Sequence, residues 1–373
     1  MKRVMLQVFR PTVVGNFIVG LMFLLAAPGC QKVHDVIDKH KNEKVVLPGD
    51  YRPVNLVANN DEYNATRIDS MLINAWGIAF SPGGVAWVNS EGGGVSAVYN
   101  AEGAEVRPAV FIPSPGGNSG GHPTGIVFNG SNTDFILSNG QAARFIFVGV
   151  DGVVSGWNGA AGDTALVIAN NSATSAYTGV TIASRGSNQY LLAANFRTGK
   201  IDVWDRTFKV VNDQRFLDPY LPAGYAPFNV RSIGDKIYVT YAKVAANGEE
   251  EAGVGNGYVN IFDTNGNLLK RFASRGLLNA PWGVEEAPAG FFEDESDGGV
   301  LVGNFGDGYI NAYSHDGKFL GQLRMNEKPL QIEGLWEITF APSTATSIDP
   351  NRLYFAAGPD DEADGLFGYI VKE

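Results

Sequence analysis

The chain has 373 residues and a formal charge of −11, an acidity that excludes a nucleic-acid partner, whose phosphates would be repelled. Hydrophobic residues at 45% supply a sizeable core, while 47 glycines are too many for a helical protein of this length. Short strands separated by tight turns are what this composition favours.

The first thirty residues read apart from the rest. Lys2, Arg3 and Arg10 form a positive leader, and Thr12 to Ala27 is mostly apolar. The stretch closes on "LLAAPGC" at Cys30, the only cysteine. The apolar run is shorter than the ~20 residues a spanning helix needs, so an export signal is expected rather than a permanent span. The stretch resembles the lipobox of bacterial lipoproteins, which implies that Cys30 becomes a lipidated first residue. Residues 1–30 are then a signal peptide and residues 31–50 a polar tether. The protein is expected to be exported and lipid-anchored at a bacterial membrane, periplasmic or on the cell surface. A free cysteine beside an ordinary signal-peptide cut is the alternative. With no later cysteine, the body of about 320 residues is stabilised by its core alone.

From residue 51 onward one pattern repeats. "AWGIAF", "HPTGIVF", "AYTGVTI", "APFNVRS", "APWGVEE" and "GLWEITF" align on Gly77, Gly125, Gly179, Asn229, Gly283 and Glu337, at intervals of 48, 54, 50, 54 and 54 residues. A period in this range indicates a solenoid, a propeller or an array. Within each unit a second apolar run follows ("VAWVNS", "FILSNG", "YLLAANF", "IYVTYA", "VLVGNF", "LYFAAG"), then a third of alternating type. Turns at Gly103, Gly152, Gly266 and Gly317 lead into a fourth run in most units. Period-two alternation with such turns predicts antiparallel strands, four to a unit.

The last unit ends at Glu373 after its third strand, and a spare strand, "PVNLVAN" at 53–59, precedes the first unit. Pairing that strand with "LFGYIVK" would close a ring without a naked edge. The predicted fold is therefore all-β, a six-bladed β-propeller over residues 51–373 whose N-terminal strand completes the last blade. The motifs "NLVAN", "NAWGIAF", "HPTGIVFN", "NAPWGV" and "AGPDDEADGLFG" resemble an uncharacterised bacterial family of exported propellers. That family is related in architecture to NHL-repeat and gluconolactonase-like six-bladed propellers. The resemblance implies fold and export and carries over no established activity.

In a propeller, the loop into the first strand and the loop between the second and third strands open on one face. Trp76, His122, Tyr177, Phe228, Trp282 and Trp336 are expected there from the first set. Asn89, Asn139, Asn195, Arg197, Asn304, Asp307, Asp360 and Asp361 are expected from the second. Such an axial funnel suits a small polar ligand or a protein partner; packing between blades and bonding of loop backbones is the competing use of each residue. The leading reading is a membrane-tethered extracytoplasmic binding propeller.

The alternative is a divalent-metal-dependent hydrolase or lactonase. Gluconolactonase-like propellers hold a cation near the axis with Glu, Asn and Asp. Here Asn229 and Glu337 replace the station glycine, with Asn195 and Asn304 near the same mouth, and oxygen donors of this kind suit Ca²⁺ or Mg²⁺. "GNSGG" at 117–121 matches a nucleophile motif but lacks the strand-to-helix context that motif needs, and reads as a linker. "DDEADG" at 360–365 lacks the bidentate Glu of an EF-hand and reads as a solvated acidic hairpin. The long acidic loop at 242–257 is expected to extend from the functional face, either disordered or acting as a flap.

Overall fold

The predicted turns fall where backbone geometry demands them: Gly103, Gly152, Gly266 and Gly317 all have φ between 78° and 86°, a region closed to most side chains. The computed structural model of the chain describes residues 50–212, 215–292 and 297–373. Among them the strands assemble into six antiparallel sheets, with two short hairpins beside them. Among the described residues the only helix is a 3-10 turn at Gly159–Ala161. Cys30, the signal stretch and the tether as far as residue 49 lie outside the described residues.

Each sheet is one blade. The innermost strands are Ala75–Phe80, Pro123–Phe128, Tyr177–Arg185, Tyr225–Ile233, Pro281–Ala287 and Leu335–Phe340. Blades one, two, four and five have four strands in sequence order. Blade three has three strands and, in place of the fourth, a single bridge between Trp204 and Val210.

Blade six is completed as the missing strand requires. Tyr51–Ala58 lies antiparallel to Leu366–Lys372, from Tyr51 opposite Lys372 to Ala58 opposite Leu366, with a bulge between Asn55 and Val57. Arg67–Ile68 adds a short parallel edge beyond it.

The core is divided among the blade interfaces rather than gathered at one centre. Between blades one and two, Trp87 stacks on Phe145 with ring centroids 4.2 Å apart. Between blades six and one, Tyr99 stacks on Phe367 at 5.8 Å. Each wedge buries the inward faces of two neighbouring sheets, so no blade could be stable without its neighbours.

One blade departs from the sequence reading. "FILSNG" was expected as the second strand of blade two, yet that strand is Phe145–Gly149 and the third is Val153–Trp157. Phe135 sits at φ 59°, outside strand geometry, and the segment around it docks on blade three through Phe135 N to Arg206 O at 2.7 Å. Residues 129–144 therefore form a long loop between the first and second strands, at the face opposite the one expected for Asn139. The "GNSGG" stretch is part of a hairpin, Pro113–Ser114 paired with Gly117–Gly120, rather than a strand-to-helix turn.

Candidate ligand-binding site at the upper axial mouth

All six innermost strands shift register against their partners at or beside the aligned station, as between Ala75 and Ile78 or Leu335 and Ile338. A bulge places two consecutive residues where ordinary pleating would place one, and so re-aims side chains. It builds two layers across the axis. The lower is the station itself, where neighbouring backbones come so close that a Cβ on Gly125 would lie 2.7 Å from Val180 N, and one on Gly77 2.5 Å from Thr124 O. Glycine is required at such an approach.

Asn229 and Glu337 solve the same contact with hydrogen bonds. Asn229 Nδ2 donates to Trp282 O in the next blade at 3.0 Å, while its Oδ1 accepts from Val230 N at 2.8 Å. Glu337 accepts from the backbone N–H groups of Ile338, at 3.2 Å, and of Ile78 in blade one. Burial pushes the Glu337 carboxyl up to about 8, against the pull of nearby Arg231 and reinforced by Glu285.

The upper layer holds the residues just before the stations: Trp76, Thr124, Thr178, Phe228, Trp282 and Trp336. Trp336 stacks on Trp76 at 3.5 Å and on Phe305 at 3.8 Å, with Trp282 edge-on at 6.1 Å. Trp282 Nε1 donates across the ring to Thr178 O at 3.0 Å. The expected aromatics thus form a plug at 1–5% exposure, closing the axis rather than rimming an open funnel. Phe228 and Trp282 lie within this plug.

Above the plug is a cavity of about 500 Å³. Trp76, Trp336 and Phe196 make its floor. Its wall is acidic: Glu91 from blade one, Glu249 and Glu250 from the long loop of blade four, and Glu362 from blade six. Arg197 also lines it, held by Ser172 O at 3.1 Å. The long loop is ordered, with Val244 bridged to Glu250 and a tight turn closed by Gly248 N to Ala245 O at 3.0 Å. Asp360, Asp361 and Glu362 occupy the left-handed region in succession, at φ 54°, 49° and 68°, a rare run for non-glycine residues. That turn brings Glu362 over the cavity.

The Asn of "NAWGIAF" and of "NAPWGV" has a shared structural use, which Asn74 illustrates. Its Nδ2 donates to Glu91 at 3.1 Å and Glu362 at 2.6 Å, while its Oδ1 accepts from Trp336 Nε1 at 2.8 Å. Asn279 does similar work in blade five, donating to Asp307 at 3.0 Å and accepting from Gly253 N at 2.6 Å. Burial and the neighbouring carboxylates Glu250, Glu91 and Glu249 push Glu362 up to about 7, although its bond to Asn74 opposes this. Burial, with Glu249, also raises Glu250.

The remaining expected residues lie outside the cavity. His122 is an exposed rim residue whose Nδ1 pairs with Glu91 Oε1 at 2.7 Å. Tyr177 is fully buried away from the floor, its hydroxyl bonded to Asp202 at 3.0 Å and Asn171 at 2.9 Å; Thr178 occupies the axial position. Asn89 ties blade one to blade two through Thr124 O at 3.0 Å. Asn195 accepts from Ala176 N at 3.3 Å and donates to Asp202 at 2.9 Å. Asn304 accepts from Asn279 N at 3.1 Å and donates to Leu277 O at 2.8 Å. Asn139 bonds Asn158 at 2.9 Å in the loop region of the opposite face.

The four residues considered for Ca²⁺ or Mg²⁺ do not fit a metal as a set. Asn229, Asn195 and Asn304 use both amide atoms in hydrogen bonds within the protein, and Glu337 is committed to backbone N–H groups. Among the described residues, no group of three or more His, Cys, Asp or Glu is arranged to hold an ion.

The lower mouth is a second cavity, of about 600 Å³. Arg231 there donates to Glu285 and to Thr339 Oγ1, the latter at 2.8 Å, and Thr339 donates to Glu285 at 2.9 Å. Its charges are matched internally, whereas the upper cavity sets four carboxyls against one guanidinium.

The chain matches no family model. An uncharacterised protein of Acanthamoeba polyphaga mimivirus is 32% identical over 336 residues, covering 86% of this chain and 80% of the relative. A second from the same virus is 32% identical over 338 residues, covering 86% of each. Among solved structures, a streptogramin B lyase superposes with a TM-score of 0.50 at 12% identity, over 89% of this chain and 100% of that one. Virginiamycin B lyase from Staphylococcus aureus gives 0.49 at 14% identity, over 87% and 99%. At 12% identity, the streptogramin B lyase shows a shared fold alone. The sequence relatives are viral, so they give no support to the bacterial origin that the motifs suggested. At this identity and coverage, the chain belongs to the family that contains these two mimivirus proteins.

Proposed function

We propose that the protein is an exported, lipid-anchored propeller that binds a small polar ligand in the upper axial cavity. The observation that carries this reading is the convergence of loops from five blades on one concave, polar-walled cavity with an aromatic floor. A pocket of this size and shape suits a small molecule better than the flat face of a protein partner. Export and anchoring rest on the positive leader, the apolar run and Cys30, all read from the sequence.

Two experiments test the two halves separately. Cys30→Ser is expected to move the protein from the membrane fraction to the soluble fraction; retention in the membrane would remove the anchor. Hydrogen exchange on the full chain with a panel of small polar compounds is expected to show slowed exchange in residues 244–256. Protection confined to the lower-mouth loops would place binding elsewhere.

A further inference from the structure

The upper cavity is unbalanced in two ways that share one remedy. Four carboxyls, from Glu91, Glu249, Glu250 and Glu362, face a cavity in which Arg197 is the one lining cation among the described residues. Asn74 donates to two of them and cannot neutralise either. His122 lies outside, paired with Glu91. The second imbalance is independent of the acids. Trp76 lines the cavity at 5% exposure, and its indole Nε1 has no hydrogen-bond acceptor among the described residues. A buried donor without a partner is unfavourable, and a ligand acceptor would offset that. Trp282 and Trp336, its neighbours in the plug, both have acceptors, at Thr178 O and Asn74 Oδ1.

An aromatic floor beneath carboxylates favours a positive, weakly hydrated group, because the ring faces carry negative charge. An inorganic cation cannot accept from the indole donor. We propose that the cavity takes a small organic ammonium carrying a hydrogen-bond acceptor near its nitrogen, such as an amino alcohol or an amino sugar. The ammonium sits against Trp76 and Phe196 and among the glutamates, and the acceptor meets Trp76 Nε1. This rests on the upper cavity being the binding site.

The test is calorimetric titration of the full chain with choline, tetramethylammonium, glucosamine and glucose. Choline and glucosamine are expected to bind, with glucose weaker by about tenfold or more. The Glu250→Gln, Glu362→Gln double variant, which removes repulsion and so keeps the fold, is expected to weaken both cations by a similar factor. Trp76→Phe keeps a ring but loses the donor, and is expected to weaken choline several-fold more than it weakens tetramethylammonium. Failure of either cation to bind, or cation binding indifferent to the double variant, overturns the inference. Glucose binding as tightly as glucosamine, with residues 244–256 protected, overturns it and leaves the site standing. Cations that protect only the lower mouth overturn both.

Discussion

Trp336→Ala is expected to destabilise the protein by about 4 kcal/mol, the usual range for removing a buried indole. Trp336 is 1% exposed and lies between Trp76 and Phe305, with one face against each ring. The axis is the one place where all six blades meet, and the neighbours there are backbones already at their closest approach. They cannot collapse inward to fill the space, so most of the cavity term is retained. The variant also frees Asn74 Oδ1, which loosens the residue bridging Glu91 and Glu362. Urea unfolding of the variant beside Trp336→Phe reads the effect. A loss below about 1.5 kcal/mol for the alanine variant would show that the plug is not a structural centre.

Glu337→Gln is expected to do the opposite, and only at higher pH. The native carboxyl titrates near 8 because of burial, well above its value in an unfolded chain. The native state therefore holds a proton that the unfolded state releases between about pH 4.5 and 8, so stability contributed by this group declines as pH rises through that window. A glutamine keeps the acceptor for the Ile338 and Ile78 N–H groups and has no proton to lose. Relative to the parent, the variant should gain about 4 kcal/mol on going from pH 5 to pH 8.5. Denaturant unfolding at the two values checks this; parallel pH dependence in the two proteins would mean that Glu337 is ionised and matched in the fold. A large gain would also identify this residue as one that stabilises poorly where it stands.

The architecture was readable because its determinants are local and repeated. A glycine in the left-handed region, an alternating apolar run and a fixed spacing each leave a mark in the chain, and the missing last strand could be matched to a spare first one. The reading failed in blade two, where "FILSNG" has the apolar content of a strand but docks as a loop. Composition reports burial there, and burial does not distinguish a strand from a tucked segment. The error moved Asn139 to the wrong face and hid the 150–152 loop at the upper mouth.

The site was less legible for a related reason. His122 and Tyr177, expected at the axial mouth, stand off the axis because the bulge gives the axial position to the residue directly before each station, Thr124 and Thr178. Glu91, Glu250 and Glu362 come from loops more than a hundred residues apart. Each stretch alone looks like an ordinary solvated acidic turn. Only ring closure brings them together, and nothing in the local sequence of any one of them reports the other two.

The pairing of Tyr51–Ala58 with Leu366–Lys372 also governs when the molecule can form. These partners are separated by more than 300 positions, so Tyr51–Ala58 waits unpaired until Leu366–Lys372 has been made. Until then blade six lacks its outer member and both flanking wedges expose apolar surface. Contacts of such long sequence separation carry the loop-closure entropy of nearly the whole domain and make for slow folding. Closing the circle thus requires synthesis to have passed Lys372, and any factor that keeps the early segment unpaired during biogenesis would keep the ring open.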